Sequence, residues 1–396
     1  MTRLYCFLLL LMVAYCQLFA AERTEEQMKE IAADALGSKT RSAANVAELK
    51  EFISLSKLRV YGYESGGFAV VTTDDNYEGL IGVSSRSFDG PMPCGFKWWM
   101  ENVNENLTST DSSELKRVRT RGSSGMAPLL TTTWGQERPF NDNCRFSNNG
   151  QTYQCVTGCV ATAMAQVMNY YRFPENGTGS YSYNITYNNS FTITFSEDFS
   201  QSFYDWDNML DDYSAYYNSS TVDAHTQAVA KLMKDCGIAI RTSYSDSSHG
   251  SSSSLYRVDE ALKTYFYYDE STKQYSRSNY STEEWMALIY DALDNGIPII
   301  YSGTESDSNN SSGHAFVLHG YDSTGKIYVN WGWDGRYDGY FDLDMLNPAN
   351  YSYNYSQTML IAKPGNSSSE KNTYTLDISV AGPGRVNYGS AEGVSI

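Results

Sequence analysis

Two cysteines four residues apart, Cys155 and Cys159, stand at the mouth of the apolar segment "QCVTGCVATAMAQVMNYYRFP", which closes on Pro174. From Val160 onward the apolar positions 160, 163, 164, 167, 168 and 171 follow i, i+3, i+4 spacing, which predicts a buried helix over 158–173 that the proline stops. Gly158 lets the backbone turn tightly into it and puts Cys159 at or near the first helical position. Unsatisfied amides and the helix dipole lower a thiol's pKa there, and a thiolate in that place is a nucleophile. The amide of Cys159 points out of the helix start and can donate to an oxyanion on the atom the sulfur attacks. The alternatives are a Cys155–Cys159 disulfide or half of a metal site. The first would have to form across a turn entering a helix, and the second would need His225, His249, His314 and His319 at poor spacing. No metal and no cofactor are expected.

A nucleophilic cysteine requires a base, and the base an orienting group. The runs "HAFVLHGY" and "KIYVNWGW", joined by the turn-forming "DSTG", read as a hairpin in which His314 opens one strand and Asn330 lies near the end of the other. Strict pairing of 321 with 326 sets 317 against 330 and His314 against Trp333, so a His314–Asn330 contact needs a bulge or a diagonal approach. The Asn330 amide can accept from one imidazole nitrogen and fix the tautomer, leaving the other nitrogen for the sulfur. Trp331 and Trp333 would cover that pair and exclude water. His319 reads as structural, and His225 and His249 suggest no role.

These residues need elements to carry them. Residues 24–36 begin with a capping box, Thr24 to Gln27, and place Met28, Ile31, Ala32 and Leu36 on one helix face. Three β-rich runs follow, "LRVYGY", "GGFAVVTTDD" and "EGLIGVSSRSF", which predicts a small antiparallel sheet packed by that helix. A polar stretch then strings Lys116, Arg117, Arg119 and Arg121 through Ser, Thr and Gly, as a processing site or a plain linker would. Residues 126–363 read as one large unit, with further helices near 224–236 and 282–295. The boundaries expected are a signal peptide over 1–21, a pro-domain with its basic linker over 22–122, a catalytic domain over 123–363, and a linker opening a β domain over 364–396.

The first 21 residues carry Arg3, a short apolar run and then Ala20 and Ala21, the pattern of a cleaved signal peptide. A lipid anchor on Cys16 is disfavoured by Tyr15 before it. The expected location is therefore outside the cell, secreted or at the surface, with no membrane span. With Cys6 and Cys16 removed, Cys94, Cys144, Cys155, Cys159 and Cys236 remain, an odd set that leaves a thiol over. A net charge of −17, from 46 acidic and 29 basic residues, argues against nucleic acid as a partner.

The blocks "GCVATAMAQVMNYY", "GHAFVLHGYD" and "VNWGWDGRYDGYFDLDMLNP", in this order and widely spaced, resemble the streptopain family, C10, of secreted bacterial cysteine proteases. The likeness covers about residues 22–363. It implies an α+β, papain-like, two-lobed enzyme, a helical lobe plus an antiparallel β-barrel lobe, preceded by a small α+β pro-domain that inhibits it. Carried over on these motifs, Cys159 is the nucleophile, His314 the base, Asn330 the orienter and Trp331 its cover. "TTTWGQERPFN" resembles the segment that supplies the oxyanion glutamine, here Gln136. Gly313 would leave room for substrate backbone, with Trp333 beside it.

The implied activity is endopeptidase action on proteins and peptides, with an apolar side chain favoured two residues before the cut. A non-catalytic adhesin explains the 33 tyrosines and the polar loops, yet not the joint presence of Cys, His, Asn and Gln in protease order. A transglutaminase-type acyltransferase or amidase would more often carry Asp as the orienter.

Overall fold

Thr24 Oγ1 accepts from the Gln27 amide at 3.2 Å while Gln27 Oε1 accepts from the Thr24 amide at 2.9 Å, and this capping box starts α1 (Glu25–Thr40). The structure, a computed structural model, describes residues 22–40, 46–75, 77–109, 125–304, 313–343 and 357–365. The expected signal peptide, the basic residues 116–121 and the tail beyond 365 lie outside the described residues. Met28, Ala32 and Leu36 of α1 pack on Tyr61, Ala69, Val71 and Val83 of an antiparallel run, β1 (Lys50–Ser54), β2 (Leu58–Gly62), β3 (Phe68–Thr72) and β4 (Leu80–Ser84).

That sheet was expected to stand alone, and it does not. β4 pairs with β13 (Gly339–Phe341) through Val83 opposite Tyr340 and Gly82 opposite Phe341. Glycine permits the join: a side chain on Gly82 would lie 2.6 Å from the Phe341 ring, and one on Gly339 would lie 2.4 Å from the Val83 carbonyl. The other strands are β9 (Lys273–Ser276), β10 (Ile299–Thr304), β11 (Gly313–Tyr321), β12 (Ile327–Asn330) and β14 (Thr358–Ile361). One antiparallel sheet of ten strands results, ordered β1-β2-β3-β4-β13-β12-β11-β10-β14-β9. Two hairpins stand apart from it, β5 (Arg145–Asn148) with β6 (Gln151–Gln154), and β7 (Ser180–Tyr187) with β8 (Phe191–Asp198).

Both faces of the large sheet are covered. One carries α1 at the first four strands. On the same face, α3 (Cys159–Tyr171) packs on Ala315 and Val317 of β11, backed by α4 (Ala224–Ala239) and α5 (Leu255–Tyr265). The opposite face carries α6 (Thr282–Asp294) and α2 (Cys94–Ser109), a helix that the sequence reading passed over. Phe96, Trp98, Trp99, Met100, Val103 and Leu107 of α2 share one core with Val60, Phe68 and Val70 of the N-terminal strands and with Phe316, Leu318, Trp331 and Phe341 of the later ones. The N-terminal region and the remainder thus bury apolar surface against each other.

The β11–β12 hairpin keeps the expected pairing at its far end, Val317 with Asn330, but the turn end pairs Tyr321 with Ile327, one residue off. A bulge between Leu318 and Gly320, at His319, absorbs the difference. β12 ends at Asn330, so His314 has no strand partner at Trp333, contrary to the strict register; it pairs across β10 with Gly303 instead.

Candidate active site

Gly158 precedes α3 with φ 87° and ψ 144°, and a side chain on it would lie 2.9 Å from the Ser251 carbonyl, so the turn into the helix requires glycine. Cys159 follows as the first helical residue. Its Sγ accepts from the Ala315 amide at 3.4 Å and lies 4.0 Å from the Gly313 carbonyl, so the first strand residues of β11 meet the sulfur through their backbone. The expected lowering of its pKa is not found. Burial pushes the thiol above its ordinary value, and the amides of Ala315, Val160 and Cys159 offset this only in part.

No imidazole is among the groups that act on this thiol. Along β11, Ala315 and Val317 face α3 while Phe316 and Leu318 face α2, and the two-residue alternation starts the His314 side chain on the α2 side, at the strand end where the residue also borders the cavity beside Cys159. Gly303, directly across from His314, has the Trp98 ring of α2 within 2.2 Å of where a Cβ would stand. The Asn330 amide is engaged elsewhere. Nδ2 donates to the Thr132 carbonyl at 2.8 Å and to Gln166 Oε1 at 3.0 Å, while Oδ1 accepts from the Gly332 amide at 2.9 Å and from Gln166 Nε2 at 3.1 Å. Gln166, two turns along α3 from Cys159, is a residue the sequence reading missed; as a buried polar position inside an apolar helix face it carried a signal.

Trp331 is buried between Phe316 and Phe96, at centroid distances of 4.9 and 5.8 Å, with Nε1 donating to the Tyr337 carbonyl at 3.1 Å. Gly95 of α2 lies against it, where a Cβ would stand 3.0 Å from the ring. Trp333 is half-buried and donates to the thiol of Cys94, the first residue of α2; burial, with Cys159 nearby, pushes that thiol up to about 12. Gln136 is tied beside the turn into α3, its carbonyl accepting from the Thr157 amide at 3.1 Å. Its neighbour Gly135 leaves space for the Asp334 carboxylate, which links this loop to the one that follows Trp333.

Asp338 accepts from the Trp331 amide at 2.9 Å, and burial pushes its carboxyl up to about 7. The folded chain therefore holds this proton more tightly than an unfolded chain, in which Asp titrates near about 3.9. Stability is lost as pH rises from about 4 to 7, by an amount on the order of 4 kcal/mol for this group. Asp338→Asn keeps an acceptor for Trp331 and removes the titration. Thermal melts of both proteins should diverge in favour of the variant across that pH range; parallel profiles would exclude the effect.

The other histidines are not rivals for the base. His319 is buried, accepts from the Leu130 amide at 3.1 Å through Nδ1, and is held down to about 3 by burial, so it stays neutral. His225 Nδ1 sits 2.9 Å from the Asn208 carbonyl, and His249 belongs to an exposed turn with Asp246. Cys94, Cys144, Cys155, Cys159 and Cys236 are all free thiols, so Cys155 and Cys159 are not bridged. Among the described residues no group of three His, Cys, Asp or Glu side chains could hold a metal, and no helix is long and apolar enough to cross a membrane. Beside Cys159 a cavity of about 550 Å³ opens between Gly313, His314 and Ala315 on one wall and Ser251–Leu255 on another.

A cysteine opening a buried helix, set against a central strand of an antiparallel sheet that also carries His and Asn–Trp, defines a papain-like cysteine peptidase. The peptidase C10 family pattern matches residues 134–341, and the chain belongs to that family. It is 32% identical over 316 residues to streptopain of Streptococcus pyogenes, covering 75% of this chain and 76% of the relative. It is likewise 32% identical over 305 residues to the thiol protease/hemagglutinin PrtT of Porphyromonas gingivalis, covering 72% of this chain and 33% of that protein. A prointerpain A fragment of Prevotella intermedia, carrying a cysteine-to-alanine substitution, superposes with a TM-score of 0.68 at 37% identity, over 79% of this chain and 97% of the fragment. Active interpain A, also 37% identical, gives 0.52 over 62% of this chain and 98% of its own. The larger coverage of the pro-form reflects a matching N-terminal region, so the chain is a cysteine-type peptidase built on a pro-enzyme plan.

Proposed function

We propose that this chain is a secreted cysteine endopeptidase made latent by its own residues 22–122, and that Cys159, His314, Asn330 and Gln136 carry the reaction. Cys159 Sγ attacks a peptide carbonyl, and the oxyanion takes bonds from the Cys159 amide and the Gln136 side chain. His314 protonates the departing amine, Asn330 orients the ring, and a water deprotonated by His314 releases the thioester. Trp331 and Trp333 cover the pair, and Gly313 admits the substrate backbone.

The observation that carries this reading is the position of Cys159, first in α3 with its sulfur against residues 313–315. What supports latency is the α2 side. The helix lies on the sheet face opposite Cys159, seats Trp98 at Gly303 beside His314, and packs Phe96 and Gly95 on Trp331. In that arrangement the thiol is neutral and Asn330 bonds Gln166 instead of an imidazole. Cutting the basic linker would release α2 and let the start of β11 rearrange so that His314 reaches the sulfur, with Asn330 exchanging its Gln166 bond for one to the ring. The described residues lining the cavity beside Cys159 include none from the N-terminal region, so latency on this account comes from a disassembled catalytic pair and not from a filled cleft.

Alkylation by an epoxide specific for activated thiols, combined with a casein digest of linker-cut protein, tests the assignment. Label on Cys159 together with digestion is the expected outcome; neither would appear for an adhesin, and label with acyl transfer but no digestion would identify a transferase.

A further inference from the structure

The cavity beside Cys159 adds charged and hydroxyl groups to the apolar lining that the family resemblance implies. Its rim is a run of four serines, Ser251 to Ser254, and its lining includes two arginines, Arg241 and Arg257. No Asp or Glu is among its described lining residues, in a chain whose acids outnumber its bases by 46 to 29. The two cations are held there by the end of α4. Arg241 follows the last turn of that helix with φ 54°, and its amide donates to the Ile238 carbonyl. Arg257, on the first turn of α5, donates through Nη1 to the Arg241 carbonyl at 3.0 Å, which fixes one side chain against the backbone of the other. Neither guanidinium has a carboxylate within ion-pair distance among the described residues, whereas Arg138 and Arg172 elsewhere on the surface do.

Two neighbouring guanidinium groups with no carboxylate partner among the described residues raise the local potential, and a partly enclosed wall screens them less than open solvent does. A carboxylate entering such a cavity gains charge-assisted hydrogen bonds that a leucine of similar size cannot make, and Arg presents a planar fork suited to bidentate pairing. Ser251 and Ser253 donate to backbone carbonyls, which leaves the Ser252 and Ser254 hydroxyls to donate to the same group.

We propose that Arg241 and Arg257 make this cavity a subsite for an acidic side chain, so that the peptidase prefers substrates with Asp or Glu close to the scissile bond. This rests on the protease reading above and adds the substrate class. Tyr256, 70% exposed beside Arg257, completes the outer edge of the subsite, where it can lie along the stem of the same side chain.

The test uses the active protein and a fluorogenic peptide set in which each residue within three positions of the cut is in turn Glu, Leu or Lys. At one position kcat/KM for Glu should exceed that for Leu by roughly tenfold or more, with the advantage shrinking as salt rises. Arg241→Glu should reverse the order at that same position, favouring Lys over Glu; Arg257→Gln should reduce the Glu advantage without creating a Lys preference. A merely structural role for either arginine would lower all three peptides together, and that result overturns the proposal. So does a Glu-to-Leu ratio near one at every position in the unmodified enzyme. If no peptide is cut and Cys159 takes no epoxide, the protease reading itself has failed, which is a different result from cleavage without acidic preference.

Discussion

Replacing Cys159 with alanine should abolish peptide hydrolysis by the linker-cut protein, with a loss in kcat of at least about 10⁴-fold and an unchanged melting curve. The magnitude follows from the chemistry. An oxyanion hole and substrate binding survive the substitution and retain a rate above water, but the covalent route disappears with the sulfur, and the rest of the site cannot replace a nucleophile. Stability is expected to hold because the lost atom makes only weak contacts with the Ala315 amide and the Gly313 carbonyl and sits at the edge of the core. Kinetics of the cut variant beside the cut parent checks it. A residual rate within a factor of about ten would assign the reaction to another group. Cys155→Ala is the natural control: that thiol is buried and pushed up to about 11, so it should be indifferent to turnover.

The second large effect is the release of latency. Cutting between 110 and 124 should raise activity by roughly 10²–10⁴-fold, the contribution that a positioned general base makes to such a reaction. On the proposed reading the uncut chain lacks that contribution, because the strand alternation sets His314 on the α2 side while burial keeps the thiol protonated. A variant separates this cause from simple blockage of the cleft. Trp98→Ala removes the ring that sits on Gly303 and should loosen α2 without any cut, at a cost to stability of about 3 kcal/mol or more. Basal activity of the uncut variant should therefore rise above that of the uncut parent. Unchanged basal activity in a destabilised but folded Trp98→Ala protein would mean that α2 does not hold the pair apart. Linker cleavage itself is followed by peptide turnover against mass-verified cut fraction.

Much of this site could be read from residue order, and the part that could not has a physical reason. The α3 periodicity, Gly158 before Cys159 and the proline stop are local signals, and the helix runs from Cys159 to Tyr171 as they require. The Val317–Asn330 pairing also came out correctly, since hairpin register is fixed by side-chain alternation and by the turn. The bulge at His319 was invisible because one extra residue costs the sequence nothing that pattern reading can detect.

The larger omission was α2. Phe96, Trp99, Met100, Val103 and Leu107 recur at helical spacing, so its existence was legible, but what its apolar face covers was not. Much of the partner surface lies more than 200 residues away, Phe316 and Trp331 among it, and no local rule links the two. The same non-local pairing, β4 on β13, merged an expected separate sheet into one of ten strands. The thiol, expected ionised, is instead pushed up by burial, and the proposed reading assigns the difference to a second region of the chain that sets the orientation of His314.

Alkylation of Cys159 as a function of pH, read by peptide mass mapping in the uncut and the linker-cut protein, distinguishes a thiol held apart from its imidazole from a preformed ion pair. In the uncut chain the rate should stay low and climb only above the ordinary thiol value of 9.0, because burial without an imidazolium disfavours the thiolate. After the cut, a Cys159–His314 ion pair should make the sulfur reactive in mildly acid solution, as histidine-paired thiols titrating near roughly 3–4 are. Identical profiles before and after cutting, or rapid labelling of the uncut chain at pH values near about 6 where an unpaired thiol is protonated, would contradict the account.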